Sequence, residues 1–199
     1  MSDKDDGNKI KDALLNDGVV AFVTDTVWGL GCDIKSKKAA EKIYKIKHRD
    51  KKKPLILMSD EIYPLLKYVK PLSKTAHQLI KTYFPGALTL VLPKSNLTPD
   101  YITSGMNTVG IRIPNNPIFA DICRCIPSRV MATTSANLSF NPPALTYEET
   151  WNCFKHDVDY IAKDCGFCAK GTASTVVEVF EGGIKILRQG NVKIREIFD

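Results

Sequence analysis

An arginine inside an apolar segment is the first residue that suggests chemistry. Arg112 lies within Thr108–Pro114, where its neighbours are mostly small or apolar. An unpaired charge in an apolar strand costs too much free energy to persist. Arg112 therefore needs either a buried carboxylate partner or an anionic ligand, and the aspartates of the chain leave both alternatives open.

Two more cations, Lys47 and Arg49, are separated by a single residue. If the helix predicted before them ends between the two, both side chains can converge on one ligand. Two fixed cations suit a triphosphate or a carboxylate. The alternative is a solvated lysine-rich surface, which is the interpretation that we favour for Lys51, Lys52 and Lys53 on spacing alone.

Two polar loops follow apolar strands. Thr24–Gly31 carries hydroxyl groups, an aspartate and an indole after a strand predicted over Val19–Val23, and Thr133–Ser139 carries hydroxyl and amide groups. Open α/β sheets bind ligands at the ends of their strands, so both loops are candidate binding segments. For the first loop, a polar turn in which Trp28 plugs the core is an equally good interpretation.

A serine hydrolase centred on Ser135 is a weaker alternative for the second loop. Its nucleophile would need a histidine base, and His48, His77 and His156 form no recognised motif with it. The chain also lacks a Walker A sequence and a dinucleotide-binding glycine fingerprint. An ATP site in this chain would therefore be of an unusual kind.

Helices and strands that must position these residues alternate along the chain. Periodicity and capping residues predict helices over residues 8–17, 36–46, 73–83, 117–125 and 146–154. Strands are predicted over residues 19–23, 54–58, 87–92, 109–113, 129–133, 174–180 and 184–187, the last two as a hairpin. This order predicts an α/β fold with one twisted, mixed β-sheet flanked by helices, in a single domain over residues 1–199.

The composition is that of an ordinary globular protein, with 199 residues, 44% of them hydrophobic and 25% charged. Residues 1–11 are polar, and no apolar stretch is long enough to span a membrane. We therefore expect a cytoplasmic protein without membrane contact. The net charge of +6 favours anionic partners such as nucleotides, pyrophosphate or RNA.

Among the six cysteines, Cys165 and Cys168 have the spacing of a zinc or redox pair. A zinc site would need a second suitable pair, and the spacing of Cys123 and Cys125 is wrong for one. A loop position does not suit a thioredoxin-like pair. We expect reduced thiols and no metal held by the protein alone.

Seven segments, taken together and in order, resemble the YrdC/TsaC family, the threonylcarbamoyl-AMP synthases. The resemblance covers about residues 10–190, nearly the whole chain, and is to the short, single-domain members. It implies a YrdC-like fold, similar to double-stranded-RNA-binding domains, with a concave basic face. The matching segments are Thr24–Gly31, Lys47–Leu55, Phe84–Thr89, Thr108–Pro114, Thr134–Ser139, Ser174–Val177 and Ile186–Gly190.

The resemblance implies a nucleotidyltransferase that makes threonylcarbamoyl-AMP and pyrophosphate from L-threonine, bicarbonate or CO₂, and ATP. The product would serve the modification of adenosine 37 of tRNA through a separate transferase complex, and Mg²⁺ would be held mainly by ATP. The implied catalytic residues are Lys47, Arg49, Ser135 and Asn137. The implied ATP-binding residues are Arg49, Lys53, Thr108, Ser135, Pro143 and Arg188. The implied threonine-binding residues are Thr26, Trp28, Arg112, Thr133 and Ser174.

The chain departs from the family pattern at a few positions. Trp28 replaces the usual tyrosine, which keeps an aromatic wall and removes a hydroxyl group, and Phe140 replaces a common glycine. The main alternative function is an RNA-binding module without enzymatic activity, which would bind tRNA, ribosomal RNA or other double-stranded RNA through its basic face. A related domain that uses carbamoyl phosphate or another amine is a further alternative.

Overall fold

The computed structural model describes residues 4–194. The predicted domain 1–199 also includes residues 1–3 and 195–199, which lie outside the described residues. The strands are β1 (Val20–Phe22), β2 (Gly29–Asp33), β3 (Ile56–Ser59), β4 (Leu88–Pro93), β5 (Thr108–Arg112), β6 (Val130–Ser135), β7 (Tyr160–Ile161), β8 (Thr175–Phe180) and β9 (Gly183–Arg188).

The nine strands within residues 4–194 belong to one mixed sheet, in the order β7-β1-β2-β6-β3-β5-β4-β8-β9. The pairs β7–β1, β3–β5 and β4–β8 are parallel, and the other neighbours are antiparallel. The predicted mixed sheet and the predicted hairpin of β8 with β9 are confirmed. The strand order was beyond the sequence, because most neighbours in the sheet are distant in the chain.

The helices are α1 (Lys4–Leu15), α2 (Lys37–Ile46), α3 (Ile62–Leu66), α4 (Lys74–Tyr83), α5 (Asp100–Thr103), α6 (Pro117–Arg124) and α7 (Tyr147–Phe154). Three predicted N-caps are confirmed, since Ser36, Ser73 and Thr146 each accept a hydrogen bond from the backbone three residues ahead. Within residues 4–194, no helix is long and apolar enough to cross a membrane.

Strand β2 is absent from the prediction, which placed residues 24–31 in a turn. The glycines that indicated a turn are needed for packing instead. A Cβ atom on Gly29 or Gly31 would lie 2.9 Å from the ring of Phe22, which crosses the strand there. Three other unpredicted elements, α3, α5 and β7, have five residues or fewer, too few for a periodicity to show.

Alternation along the central strands separates a packed face from a face that carries polar groups. On β5, Val109 and Ile111 are buried, while Thr108 and Arg112 share the opposite face with Gly110. A Cβ atom on Gly110 would lie 2.7 Å from Ile56 of the neighbouring strand. The polar face is the one that carries the cleft described next.

Candidate active site

A cleft of about 380 Å³ lies on the sheet, and residues of eight strands, β1–β6, β8 and β9, contribute to its lining. Of the thirteen site residues predicted from the sequence, ten line this cleft: Thr26, Trp28, Arg49, Arg112, Thr133, Ser135, Asn137, Pro143, Ser174 and Arg188. Segments that are far apart in the chain therefore meet at one place. The other three do not line it. Lys47 lies beneath the cleft, Lys53 lies at its rim, and Thr108 lies farther along β5.

Arg112 lines the cleft and is held by three protein groups. Its Nε donates to the carbonyl oxygen of Gly86 at 2.9 Å, one terminal nitrogen donates to Thr26 Oγ1 at 2.9 Å, and the other pairs with Asp25 Oδ1 at 2.5 Å. Burial lowers the pKa of Arg112, the ion pair with Asp25 opposes that effect, and the nearby Arg188 adds to it. The buried carboxylate that the sequence left as one alternative is therefore present.

Asp25 itself was not among the predicted site residues. Its side chain is 8% exposed and the Arg112 side chain 3% exposed, so the pair is largely removed from water. The aspartate stands between two threonines of the first polar loop, but nothing in the sequence distinguishes it from the other aspartates. Only the fold brings residues 25 and 112 together.

The loop after β1 is shaped by Thr24. Its Oγ1 donates to the carbonyl oxygen of Val27 at 2.6 Å and accepts from the backbone N–H groups of Thr26 and Val27 at 3.1 and 3.3 Å. This turn aims the Thr26 hydroxyl at Arg112. Thr24 also lines the cleft, and its Oγ1 lies 3.0 Å from Thr26 Oγ1.

A second arginine, Arg188, is fastened to Ser174 across the β8–β9 edge. Its Nε donates to the Ser174 carbonyl oxygen and a terminal nitrogen donates to Ser174 Oγ, both at 3.1 Å. Ser174 Oγ also lies 2.8 Å from Thr89 Oγ1, another lining residue. The prediction missed Thr89, although it ends one of the seven segments. Burial lowers the pKa of Arg188.

Lys47 and Arg49 do not share one position, because the chain turns between them. Helix α2 ends before Lys47, and His48 has a φ of +46°. The helix therefore ends at Ile46, one residue before the first of the two cations, and not between them. Arg49 lines the cleft and donates to the carbonyl oxygens of Lys53 at 3.2 Å and Pro54 at 3.1 Å.

Lys47 lies beneath the second polar loop and is 1% exposed. Its ammonium group donates to the Ser135 carbonyl oxygen, to the Asn137 carbonyl oxygen at 2.6 Å and to Asn137 Oδ1 at 3.0 Å. Asn137 Oδ1 accepts a further bond from Ser135 Oγ at 2.5 Å. Burial, with a smaller contribution from Arg49, lowers the pKa of Lys47 to about 7. Direct contact of Lys47 with a ligand stays a prediction.

Two remaining predicted ATP residues lie away from the cleft lining. The ammonium group of Lys53 lies 5.1 Å from the centre of the Phe140 ring. Thr108 is on the same face of β5 as Arg112, four residues along the strand, which corresponds to roughly 13 Å. A ligand that contacts Arg112 and also reaches Thr108 would extend well beyond the deepest part of the cleft.

Trp28 forms a buried part of the wall. Its side chain is fully buried, its ring packs edge-on against Tyr147 at 6.0 Å, and its indole N–H has no hydrogen-bond partner among the described residues. The interpretation of Trp28 as a core plug therefore describes its packing. The aromatic wall at this position needs no hydroxyl group for that packing.

The cysteines and acidic residues of residues 4–194 form no metal centre. All six cysteines are thiols, and Cys165 and Cys168 are exposed. In the described part of the chain, no group of three or more histidine, cysteine, aspartate and glutamate side chains is placed to hold a metal ion. A metal ion in this cleft would need most of its ligands from a bound substrate.

The sheet and its cleft define an α/β protein in which three arginines and several hydroxyl groups line one cleft, a lining that suits a small anionic ligand. The chain belongs to the Sua5/YciO/YrdC family, since the family model described as "Telomere recombination" matches residues 12–190. The predicted family and fold class are thereby confirmed.

Named relatives and solved structures agree with this membership. A threonylcarbamoyl-AMP synthase of Buchnera aphidicola is 33% identical over 88% of this chain and 98% of its own. A threonylcarbamoyl-AMP synthase of Pyrococcus abyssi is 34% identical over 90% of this chain and 52% of its own, so this chain spans about half of that relative. The crystal structure of P. abyssi Sua5 complexed with L-threonine superposes with a TM-score of 0.85, at 32% identity, over 92% of this chain and 54% of the other.

Proposed function

We infer that this protein is a threonylcarbamoyl-AMP synthase, a nucleotidyltransferase that uses L-threonine, bicarbonate or CO₂, and ATP. The observation that carries the inference is the convergence of Arg49, Arg112 and Arg188 on one cleft lined with hydroxyl groups. Three fixed cations match substrates that bring a carboxylate and a triphosphate. Two relatives that match most of this chain bear the name of this activity.

The chemistry has two bond-forming steps. The uncharged amine of threonine attacks the carbon of CO₂ and loses a proton, which gives a carbamate. A carbamate oxygen then attacks the α-phosphorus of ATP, and the bond from that phosphorus to the bridging oxygen breaks, so that pyrophosphate leaves. Both reactants of the second step are anions, so catalysis consists mainly of positioning and charge neutralisation.

The threonine end of the cleft is assigned to the Arg112 wall. Arg112 has five N–H groups, of which the described contacts with Gly86, Thr26 and Asp25 use three. The others would bind the threonine carboxylate. Hydroxyl groups of Thr26, Thr133 and Ser174 would bind the polar atoms of threonine, with Trp28 behind them.

The ATP end is assigned to Arg49 and Arg188, whose guanidinium groups would neutralise phosphate charge. Ser135 and Asn137 would add polar contacts, and Lys47 would hold their loop through its three oxygen partners. The further ATP contacts are assigned to Lys53, Thr108 and Pro143. Mg²⁺, carried by the phosphates of ATP, would supply additional charge neutralisation.

The role beyond this reaction is also a proposal. The activated threonylcarbamoyl group would pass to a transferase complex that modifies adenosine 37 of tRNA, in the cytoplasm. The basic surface of the protein, with its net charge of +6, is compatible with a direct contact to tRNA. No described contact favours RNA binding without enzymatic activity over the synthase.

The test is pyrophosphate release from ATP and Mg²⁺, with threonine and bicarbonate each present or omitted. We expect release only when both are present. Arg49→Ala should reduce turnover on the order of a hundredfold, the effect of losing one electrostatic stabiliser. Arg124→Ala removes a half-exposed arginine that pairs with Asp60 and Asp121, and it should leave release unchanged. Release that does not depend on threonine would contradict the proposal.

A further inference from the structure

Phe140 is the most exposed large apolar side chain in the described part of the protein, and its backbone is strained. Its exposed fraction is 96%, and its φ is +74°, a region that favours glycine. An exposed ring gains no burial free energy from folding. The fold alone would thus be more stable with glycine at this position, which suggests that the ring acts on something outside the fold.

The ring stands at the edge of the cleft. Phe140 lies in a turn closed by a hydrogen bond from the Asn141 N–H to the Leu138 carbonyl oxygen, at 3.0 Å. The side-chain amide of Asn137, which lines the cleft, donates to the carbonyl oxygens of Leu138 at 3.0 Å and Asn141 at 2.8 Å. The turn that presents the ring is therefore fastened to the cleft wall.

A cation from a different segment lies next to the same ring. The ammonium group of Lys53 is 5.1 Å from its centre, a cation–π distance. Lys53 precedes Pro54, and its carbonyl oxygen accepts from Arg49 Nε at 3.2 Å. Both Pro54 and Arg49 line the cleft. Two segments of the lining thus bring an aromatic face and a positive charge together at the rim.

We propose that Phe140 stacks on the adenine base of ATP and that Lys53 holds the ring beside the phosphates. The inference rests on the proposed function for the presence of ATP. The arginines of the cleft match the charged parts of the substrates, and the base is the one flat aromatic part that these charges leave unmatched. An exposed ring beside a cation is a surface on which a base stacks with little preference for its identity.

The experiment measures binding by calorimetry, without threonine, for the wild type, Phe140→Gly, Phe140→Trp and Phe140→Leu. The probes are ATP, inorganic tripolyphosphate, which has the phosphates without a base, and oligoadenylate RNA. Phe140→Gly and Phe140→Leu should weaken ATP binding by roughly tenfold and leave tripolyphosphate binding unchanged, whereas Phe140→Trp should keep the affinity for ATP. The control Phe180→Ala removes a half-exposed ring from the end of β8 and should change neither.

The outcomes are distinguishable. Phe140→Gly should melt at or above the temperature of the wild type, because glycine relieves the positive φ. Equal ATP affinity in the wild type and Phe140→Gly would overturn the stacking. Equal weakening of ATP and tripolyphosphate would also overturn it, since the loop would then be distorted. Weaker binding of oligoadenylate RNA with unchanged ATP binding would assign the ring to RNA instead. A wild type that binds no ATP would contradict the proposed function itself.

Discussion

The ion pair between Asp25 and Arg112 offers the sharpest test of how this site is built. Asp25→Asn keeps the shape of the side chain and removes its charge, so a guanidinium that is 3% exposed loses the partner 2.5 Å away. Removing one member of a buried pair typically costs about 3–5 kcal/mol, because the remaining charge stays buried without compensation. For a chain of this size, 3 kcal/mol corresponds to a fall in melting temperature of roughly 6–12 °C.

The assay is urea unfolding at 25 °C, with a control pair of the same length whose aspartate is exposed. Lys94 and Asp100 are also 2.5 Å apart, but the Asp100 side chain is 81% exposed. Asp100→Asn should therefore cost less than about 1 kcal/mol. A larger loss at Asp25 would show that the distance between the charges does not by itself set the cost.

A double variant completes the test. Asp25→Asn with Arg112→Gln leaves no buried charge, so it should be more stable than the sum of the two single losses implies. A loss below about 1 kcal/mol for Asp25→Asn, or strictly additive losses in the double variant, would show that the pair does not carry the energy argued for it.

Three further predictions concern other parts of the site. Arg112→Lys keeps the charge and loses the bidentate geometry. It should therefore raise the threonine concentration for half-maximal pyrophosphate release roughly tenfold and leave the corresponding ATP concentration unchanged. An equal rise in both concentrations would contradict the assignment of the threonine carboxylate to Arg112. Lys47→Met removes a group whose pKa is lowered from 10.5 to about 7. Because the unfolded chain binds this proton more tightly, the unfolding free energy of the wild type should rise relative to that of Lys47→Met between pH 7 and 10, as measured in urea. A difference that does not change with pH would contradict the lowered pKa of the buried amine. Gly31→Ala should destabilise the fold by about 1–3 kcal/mol, since its Cβ would lie 2.9 Å from Phe22. In the control Gly183→Ala, the nearest atom to the new Cβ is 3.7 Å away, in the ring of Phe180. Equal melting temperatures for both variants would refute the packing argument.

The sequence alone determined the features of the fold that depend on residues close together in the chain. Ser36, Ser73 and Thr146 predicted helix starts because each hydroxyl group needs only the backbone three residues ahead. The hairpin of residues 175–188 was predicted because its two strands are joined by a short glycine-containing turn. Strand β2 was not predicted because its glycines are required by the packing of Phe22, a residue on a neighbouring strand.

The same division runs through the candidate site. The type of residue 112, an arginine in an apolar strand, was enough to predict that Arg112 has a partner. The seven segments indicated the family and its site residues, and ten of those residues line one cleft. The tertiary structure decided that the partner is Asp25 and that Lys47 lies under a loop whose oxygens hold its ammonium group. The order of strands in the sheet determines which charged side chains form pairs. That order is set by contacts between distant segments, and a local pattern of residues carries no information about it.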